Sequence, residues 1–244
     1  MRRKEEWAKE GWGDHHLWSR VRQEAKVSIL VAMTQEPRWK DCLDSLKAQT
    51  YQDFSCVVVI DCPLPEMWKY AQENDDVRFS FHFSPTLQGL CRVWNMGLHD
   101  HGGDFVVLMG GENPLPPGFL QTGVDALTRA PDMGYVVPSV EKISDVGMGW
   151  LFVITAACIG DVGVLDVAYG PGGIGMMWDW AMRVKSAGFK PRRLPIEVEH
   201  TMYSVQDKCA DWARIERLDL LKSKWGSQVD TSKGPWDLPL IENV

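Results

Sequence analysis

The sequence predicts an α/β protein with a mainly parallel central sheet flanked by helices, and three observations carry the prediction. Short, unbroken apolar runs at Val27–Ala32, Phe54–Ile60 and Phe105–Met109 read as strands buried on both faces. Segments with helical spacing lie between them, which is the alternation that builds βαβ units. Turn and polar residues follow the runs at once: Thr34-Gln35 after the first, Asp61 after the second, Gly110-Gly111-Glu112-Asn113 after the third. In open α/β sheets, ligands bind just beyond the carboxyl ends of the strands, so these residues share one candidate edge.

Taken in order, residues 1–25 form a polar N-terminal arm in which Trp18 and Val21 keep helical spacing. His15-His16 face different ways on a helix and read as solvated. Pro37 opens a helix, as proline does in a first turn. Trp39, Cys42, Leu43 and Leu46 give that helix one apolar face. Met67–Gln72 suggests a short helix, Val77–Phe83 alternates as a strand, and Leu87–Leu98 reads as a helix. The run His99–Asp104 precedes a strand, on the amino edge of the sheet, and reads as a solvated loop. A helix reaches about Arg129, and Gly134–Val140 is a short strand. Gly147–Thr155 is apolar, and Tyr169–Gly175 is a glycine-rich loop expected to border the site as a lid. Trp178–Ala187 is helical and closed by Gly188. Arg192–Val198 is a last strand, and a helix carrying Trp212, Ile215, Leu218, Leu221 and Trp225 follows.

The chain has 244 residues, enough for one large domain or two small ones. Its net charge of -7 argues against a broad nucleic-acid surface. Six cysteines without CxxC spacing indicate neither a zinc site nor a disulfide framework, and a reducing, cytoplasmic setting fits. The N-terminus has no apolar signal region, and no stretch reaches the roughly 20 apolar residues of a membrane span.

The residues alone leave several roles open. Asp61 can accept from a base N–H or a ribose hydroxyl, or cap a turn. Glu112 can ligate a divalent cation. His200 ends a strand and is either a further ligand or a partner of Glu197 or Glu199. Gly89 and Arg92, at a helix start, suit phosphate.

From Lys26 to Gly226, the order of parts resembles the family 2 glycosyltransferases with the A-type, single Rossmann-like fold. VSILVAMTQEPRWKDCLDSLKAQTYQDFSCVVVID is similar to the family's first strand, first helix and second strand. GLCRVWNMGLHDHGGDFVVLMGGENPLPPGFL, WDWAMRVKSAGFKPRRLP and DLLKSKWG are similar to later segments. The resemblance implies a nucleotide-sugar-binding half at 26–114, an acceptor half at 115–204, a C-terminal helix at 205–226 and a tail at 227–244. It implies donor contacts from Ala32, Thr34, Gln35, Asp61, Gly89, Arg92, Gly110 and Gly111, with Asp61 on a uracil or another base. Residues 110–112 stand at the family's Asp-x-Asp position, where the first Asp is now Gly110 and the second is Glu112. Glu112 and His200 are the expected ligands of Mn²⁺ or Mg²⁺.

Met176 and Met177 occupy the place of the family's general base. Asp179 is the nearest carboxylate, and is either the base or a structural partner of Arg183 at i+4. Trp178 and Trp180, at the same helix start, either stack on a sugar or base on the acceptor side or pack in the core. The resemblance thus implies transfer from a nucleoside-diphosphate sugar, a UDP-sugar first, to a hydroxyl on a glycan, a protein or a modified DNA base. The lost motif residues are similar in style to phage-borne divergence, with the host cytoplasm as location. The alternatives are a catalytically inactive nucleotide- or sugar-binding module and, ranked lower, a nucleotidyltransferase-like enzyme.

Overall fold

The structure, a computed structural model, describes residues 24–139, 151–170, 174–199, 218–229 and 241. The N-terminal arm, His200, Trp212 and most of the tail lie outside the described residues. Seven strands form one sheet: β1 (Val27–Met33), β2 (Phe54–Asp61), β3 (Phe79–Ser84), β4 (Phe105–Gly110), β5 (Tyr135–Ser139), β6 (Leu151–Thr155) and β7 (Arg192–Glu197). Their order is β3-β2-β1-β4-β6-β5-β7. β1 pairs in parallel with β2 and β4, β2 with β3, and β5 with β7. β6 runs antiparallel between β4 and β5.

Helices cover both faces. α1 (Trp39–Lys47), α2 (Pro65–Glu73) and α4 (Phe119–Arg129) pack on the face presented by Val27, Ile29, Val31, Cys56, Val58 and Val107. α3 (Leu90–Asp100), α5 (Ala156–Val162), α6 (Ile174–Ser186) and α7 (Leu218–Trp225) pack on the face of Leu30, Val57, Val59, Val106 and Leu108. The alternation of β1, β2 and β4 residues between these two clusters explains why their sequences are apolar throughout: both faces are covered.

Boundaries shift from the sequence expectation by a few residues at several ends. α1 starts at Trp39 rather than Pro37, because the Trp39 N–H bonds to the Glu36 carbonyl and Arg38 takes the cap position. Gly188 closes α6 as expected, with φ 90° and an N–H bond to the Lys185 carbonyl. Leu151–Thr155, read from sequence as apolar without an element, is the antiparallel strand β6. Thr155 then caps α5 by accepting from the Cys158 N–H at 3.1 Å.

The topology creates one switch point. From β1 the chain steps outward through β2 to β3, then crosses back to place β4 on the other side of β1. The chain leaves β1 and β4 onto the face that carries α1 and α4, whereas β3 feeds α3 on the opposite face, and in such open sheets ligands bind at the carboxyl ends of the strands.

Candidate active site at the carboxyl edge of the sheet

Asp61 ends β2 with its side chain on the α3 face and is 3% exposed. Its Oδ2 accepts from the Gln88 N–H at 2.8 Å and the Gly89 N–H at 3.4 Å, just before α3. Oδ1 is buried and accepts no hydrogen bond from the described residues. Burial raises the carboxyl to about 6, against the two backbone donors that favour its ionised form. Gly89 has φ 86°, a conformation that lets its N–H and that of Gln88 turn onto one carboxylate. Arg92, in the first turn of α3, is exposed.

The loop after β1 is tied to its neighbours. Gln35 Nε2 donates to the Cys62 carbonyl at 2.9 Å. Thr34 gives both its N–H (2.7 Å) and its hydroxyl (3.0 Å) to the Glu36 carboxylate. Glu36 is buried, and its carboxyl is pushed up to about 7, by burial first and by the charge of Glu112 second. The sequence reading missed Glu36. Its position in Thr34-Gln35-Glu36-Pro37, just past a strand, was the available signal, but a carboxylate before Pro37 reads as an ordinary helix-start residue.

At the end of β4, Ala32 lies opposite Gly110, and the Gly111 N–H bonds to the Ala32 carbonyl at 2.9 Å. Side chains approach both glycines closely. A β-carbon on Gly111 would stand 2.8 Å from the Met33 side chain, and one on Gly110 would stand 2.8 Å from the carboxyl carbon of Glu112. Glu112 therefore folds back over Gly110. The Cys42 thiol, from α1, reaches the Gly110 carbonyl from below at 3.9 Å. The following loop is pinned to α1. Gln49 Nε2 donates to the Pro116 carbonyl (2.9 Å), and the Ser45 hydroxyl accepts from the Leu115 N–H (2.9 Å). The edge residues Ala32, Thr34, Gln35, Asp61, Gly89, Gly110, Gly111 and Glu112 thus share the end of the sheet.

Among the described residues no group of three His, Cys, Asp or Glu is placed to hold a metal ion. Glu36 and Glu112 offer two carboxylates, and Mg²⁺ and Mn²⁺ are commonly held by one or two carboxylates completed by substrate phosphates. The oxygen donor set fits that class of ion. His200, the other expected ligand, is outside the described residues. Its predecessor Glu199 forms an ion pair with Arg38 at 3.0 Å, at the start of α1.

Asp179 lies on α6, fully buried. Oδ2 accepts from Arg183 Nε at 2.9 Å, while Oδ1 accepts from Trp225 Nε1 at 2.9 Å and meets Lys224 Nζ at 2.6 Å. The Tyr169 hydroxyl stands 3.4 Å from the same Oδ1. Burial alone would raise this carboxyl, but the bonds from Lys224 and Trp225 and the Arg183 charge outweigh it and hold it below the usual range. The i+4 pairing with Arg183 that the sequence offered is present; the clasp by α7 carried no local signal. Met176 and Met177 are core residues. Trp180 is also in the core, packed on Tyr135 at 5.2 Å and bonded through Nε1 to the Gly163 carbonyl at 3.1 Å. Trp178 is half-buried against the same cluster.

No helix among the described residues is long and apolar enough to cross a membrane.

Comparison with known proteins agrees with this layout. The fold is similar to that of the mannosyltransferase PcManGT from Pyrobaculum calidifontis, a structure in complex with GDP-Man and Mn²⁺. The TM-score is 0.61 at 16% identity, over 86% of this chain and 66% of that one. It is also similar to S. aureus TarS, with a TM-score of 0.54 at 13% identity, over 73% of this chain and 35% of TarS. The chain thus spans less than two thirds of the TarS length and about two thirds of the mannosyltransferase's. No curated protein sequence matches. The family model "Glycosyl transferase family 2" matches residues 28–158, more than half of the chain, and covers β1 to the start of α5. The chain belongs to glycosyl transferase family 2.

Proposed function

We propose that the protein is a nucleotide-sugar-dependent glycosyltransferase whose donor site is the carboxyl edge of β1, β2 and β4. The observation that carries this reading is the buried Oδ1 of Asp61, an acceptor with no hydrogen bond among the described residues, at the end of a strand beside the switch point. An imide N–H of a uracil- or guanine-type base supplies the missing donor. Leaving such an acceptor unmatched is costly, so a base that donates there gains selectivity over one that does not. A UDP-sugar is the first candidate donor, and a GDP-sugar carries the same kind of N–H.

In this reading Ala32, Thr34 and Gln35 border the nucleoside. The Gly89 end of α3 and Arg92 face the diphosphate, and the Gly110-Gly111 backbone permits its close approach. Glu112, with His200 as its expected companion, would hold Mn²⁺ or Mg²⁺. When bound, such an ion offsets charge on the departing diphosphate. In the transfer itself, an acceptor oxygen bonds to the anomeric carbon, the bond from that carbon to the diphosphate oxygen breaks, and the diphosphate leaves with the electron pair. The acceptor's proton passes to a base. The acceptor is a hydroxyl on a glycan, a protein or a modified DNA base, admitted beside Trp178 on α6.

One observation favours a second reading, a nucleotide- or sugar-binding module without turnover. Asp179, the carboxylate nearest the expected base position, is closed in by four donors, and Met176 and Met177 are apolar. The test is release of nucleoside diphosphate from UDP-glucose and GDP-mannose, with Mn²⁺, Mg²⁺ or a chelator. Slow donor hydrolysis supports the enzyme. Nucleotide binding without release from any donor supports the module.

A further inference from the structure

We propose that Gln35 is a positioning residue for the nucleotide site: its side-chain amide clamps a left-handed turn at Cys62 and thereby aims the Asp61 carboxylate. The proposal rests on the donor-site reading above and deepens it. The loop after β1 becomes part of base recognition through Cys62, without a bond of its own to the base.

The starting observation is a strained residue. Cys62 directly follows Asp61 and has φ 52°, the one positive value at a non-glycine among the described residues. A β-carbon is crowded by the backbone in that conformation, and such residues persist only where their surroundings hold them. Bonds on two sides hold Cys62. Its N–H donates to the Ser84 carbonyl at 2.8 Å, and its thiol reaches the Pro85 carbonyl at 3.7 Å. Its own carbonyl accepts from Gln35 Nε2 at 2.9 Å. The first two tie Cys62 to the end of β3, and the third ties it to the loop that leaves β1.

Both sides of the clamp are braced. On the β1 side, Thr34 gives its N–H and its hydroxyl to the Glu36 carboxylate, which closes a tight turn with Gln35 at its apex. On the β3 side, Ser84 lies opposite Asp61 in the strand register. The Ser84 hydroxyl accepts from Gln88 Nε2 at 3.0 Å, and the Gln88 N–H is one of the two that hold Asp61 Oδ2. Cys62, Ser84, Gln88 and Asp61 therefore form a closed ring at the end of β2, and Gln35 fastens that ring to β1.

The clamp bears directly on Asp61. The peptide joining Asp61 to Cys62 is planar, so the φ of Cys62 sets that plane, and the end of β2 with it, against the loop that follows. Without the Gln35 donor, the Cys62 carbonyl loses this bond and the left-handed turn loses part of what holds it. Residue 62 then relaxes toward negative φ, and Asp61 turns with it. Oδ2 is kept by the Gln88 and Gly89 N–H groups, so the oxygen whose direction changes is Oδ1, the one offered to the base.

The test is a calorimetric double-mutant cycle on the full chain, titrated with UDP and GDP in the presence of Mn²⁺. Thermal melting checks that each variant is folded. Gln35→Ala should weaken the nucleotide that the wild type binds by about tenfold. Cys62→Val leaves Gln35 in place but sets a β-branched side chain where φ is positive, and should weaken binding in the same direction. Glycine takes positive φ without a clamp, so in the Cys62→Gly background Gln35→Ala should cost only about threefold or less. An equal loss from Gln35→Ala in the wild-type and Cys62→Gly backgrounds means that Gln35 does not act through the turn, and overturns the proposal. Wild-type affinity in folded Gln35→Ala or folded Cys62→Val overturns it as well. If Asp61→Ala still weakens binding in either of these cases, the donor-site reading stands. Binding of neither UDP nor GDP by the wild type, or no effect of Asp61→Ala, overturns both.

Discussion

Replacing Asp179 by Ala separates a structural hub from a general base. The substitution leaves the Arg183 guanidinium and the Lys224 ammonium facing each other without their shared carboxylate, and it removes the acceptor for Trp225 Nε1. Removing one partner of a buried ion pair costs about 3–5 kcal/mol. Arg183 and Lys224 keep side-chain exposures of 22% and 37%, and Arg183 retains the Val162 and Val164 carbonyls. Solvent and these carbonyls temper the stranded charge, so the lower end applies, about 3 kcal/mol. For a protein of this size each kcal/mol moves the melting temperature by about 2–4 °C, giving a drop of about 6–12 °C.

The pH dependence has a definite sign. Asp179 is held below its ordinary value, so its contribution is present above pH 3.8 and is lost as pH falls through the depressed value. Urea unfolding of wild type and Asp179→Ala should show a gap near neutrality that closes in acid. Hydrogen exchange should show α7 losing protection in the variant, because Lys224 and Trp225 no longer have their anchor. A loss under about 1 kcal/mol together with a fall in turnover of about 10²-fold or more would refute the hub and make Asp179 the base.

Other substitutions test the remaining parts. Asp61→Ala removes a buried, charge-assisted acceptor and should weaken UDP or GDP binding by about 10- to 100-fold in calorimetry, with little change for phosphate alone. Because burial raises Asp61 to about 6, protonation favours the folded state. Its stabilising share is complete below pH 3.8 and is lost as pH rises through about 6. Asp61→Asn should therefore gain stability relative to wild type between about pH 4 and 7, by up to about 3 kcal/mol. Nucleotide affinity of the wild type should fall in the opposite direction, as acid protonates the acceptor. Asn95 bridges α3 to the loop before α6 through two 2.9 Å bonds with the Leu165 backbone. Asn95→Ala leaves both backbone groups unmatched and should lower stability by about 2–4 kcal/mol in urea titration.

The sheet's first half was legible because its strands are buried on both faces and are punctuated by turn residues. Phe105–Met109 followed by Gly110-Gly111 identifies β4 and its end from composition alone. β6 was not legible, because a five-residue apolar run fits a buried strand or a helix segment equally well, and its antiparallel pairing with β4 is a tertiary fact. Asp61 and Glu112 could be found by position, each standing just beyond a strand. Glu36 could not, because its burial comes from folding back onto Thr34, which no local pattern announces. The surroundings of Asp179 were half legible: Arg183 is a helical neighbour at i+4, whereas Lys224 and Trp225 arrive from a helix more than forty residues later. The lost side chain at Gly110 looked like a deletion in the sequence, while in the fold its space is filled by Glu112.

The proposed donor site is the carboxyl edge of β1, β2 and β4, with Asp61 as its anchor for a nucleoside-diphosphate sugar. Isothermal titration of the full chain with UDP and GDP in the presence of Mn²⁺, repeated on Asp61→Ala, tests it most directly. Saturable binding of at least one of the two nucleotides by the wild type is expected, with a loss of about tenfold or more in the variant. Equal affinity in both proteins, or no binding of either nucleotide by the wild type, would contradict it.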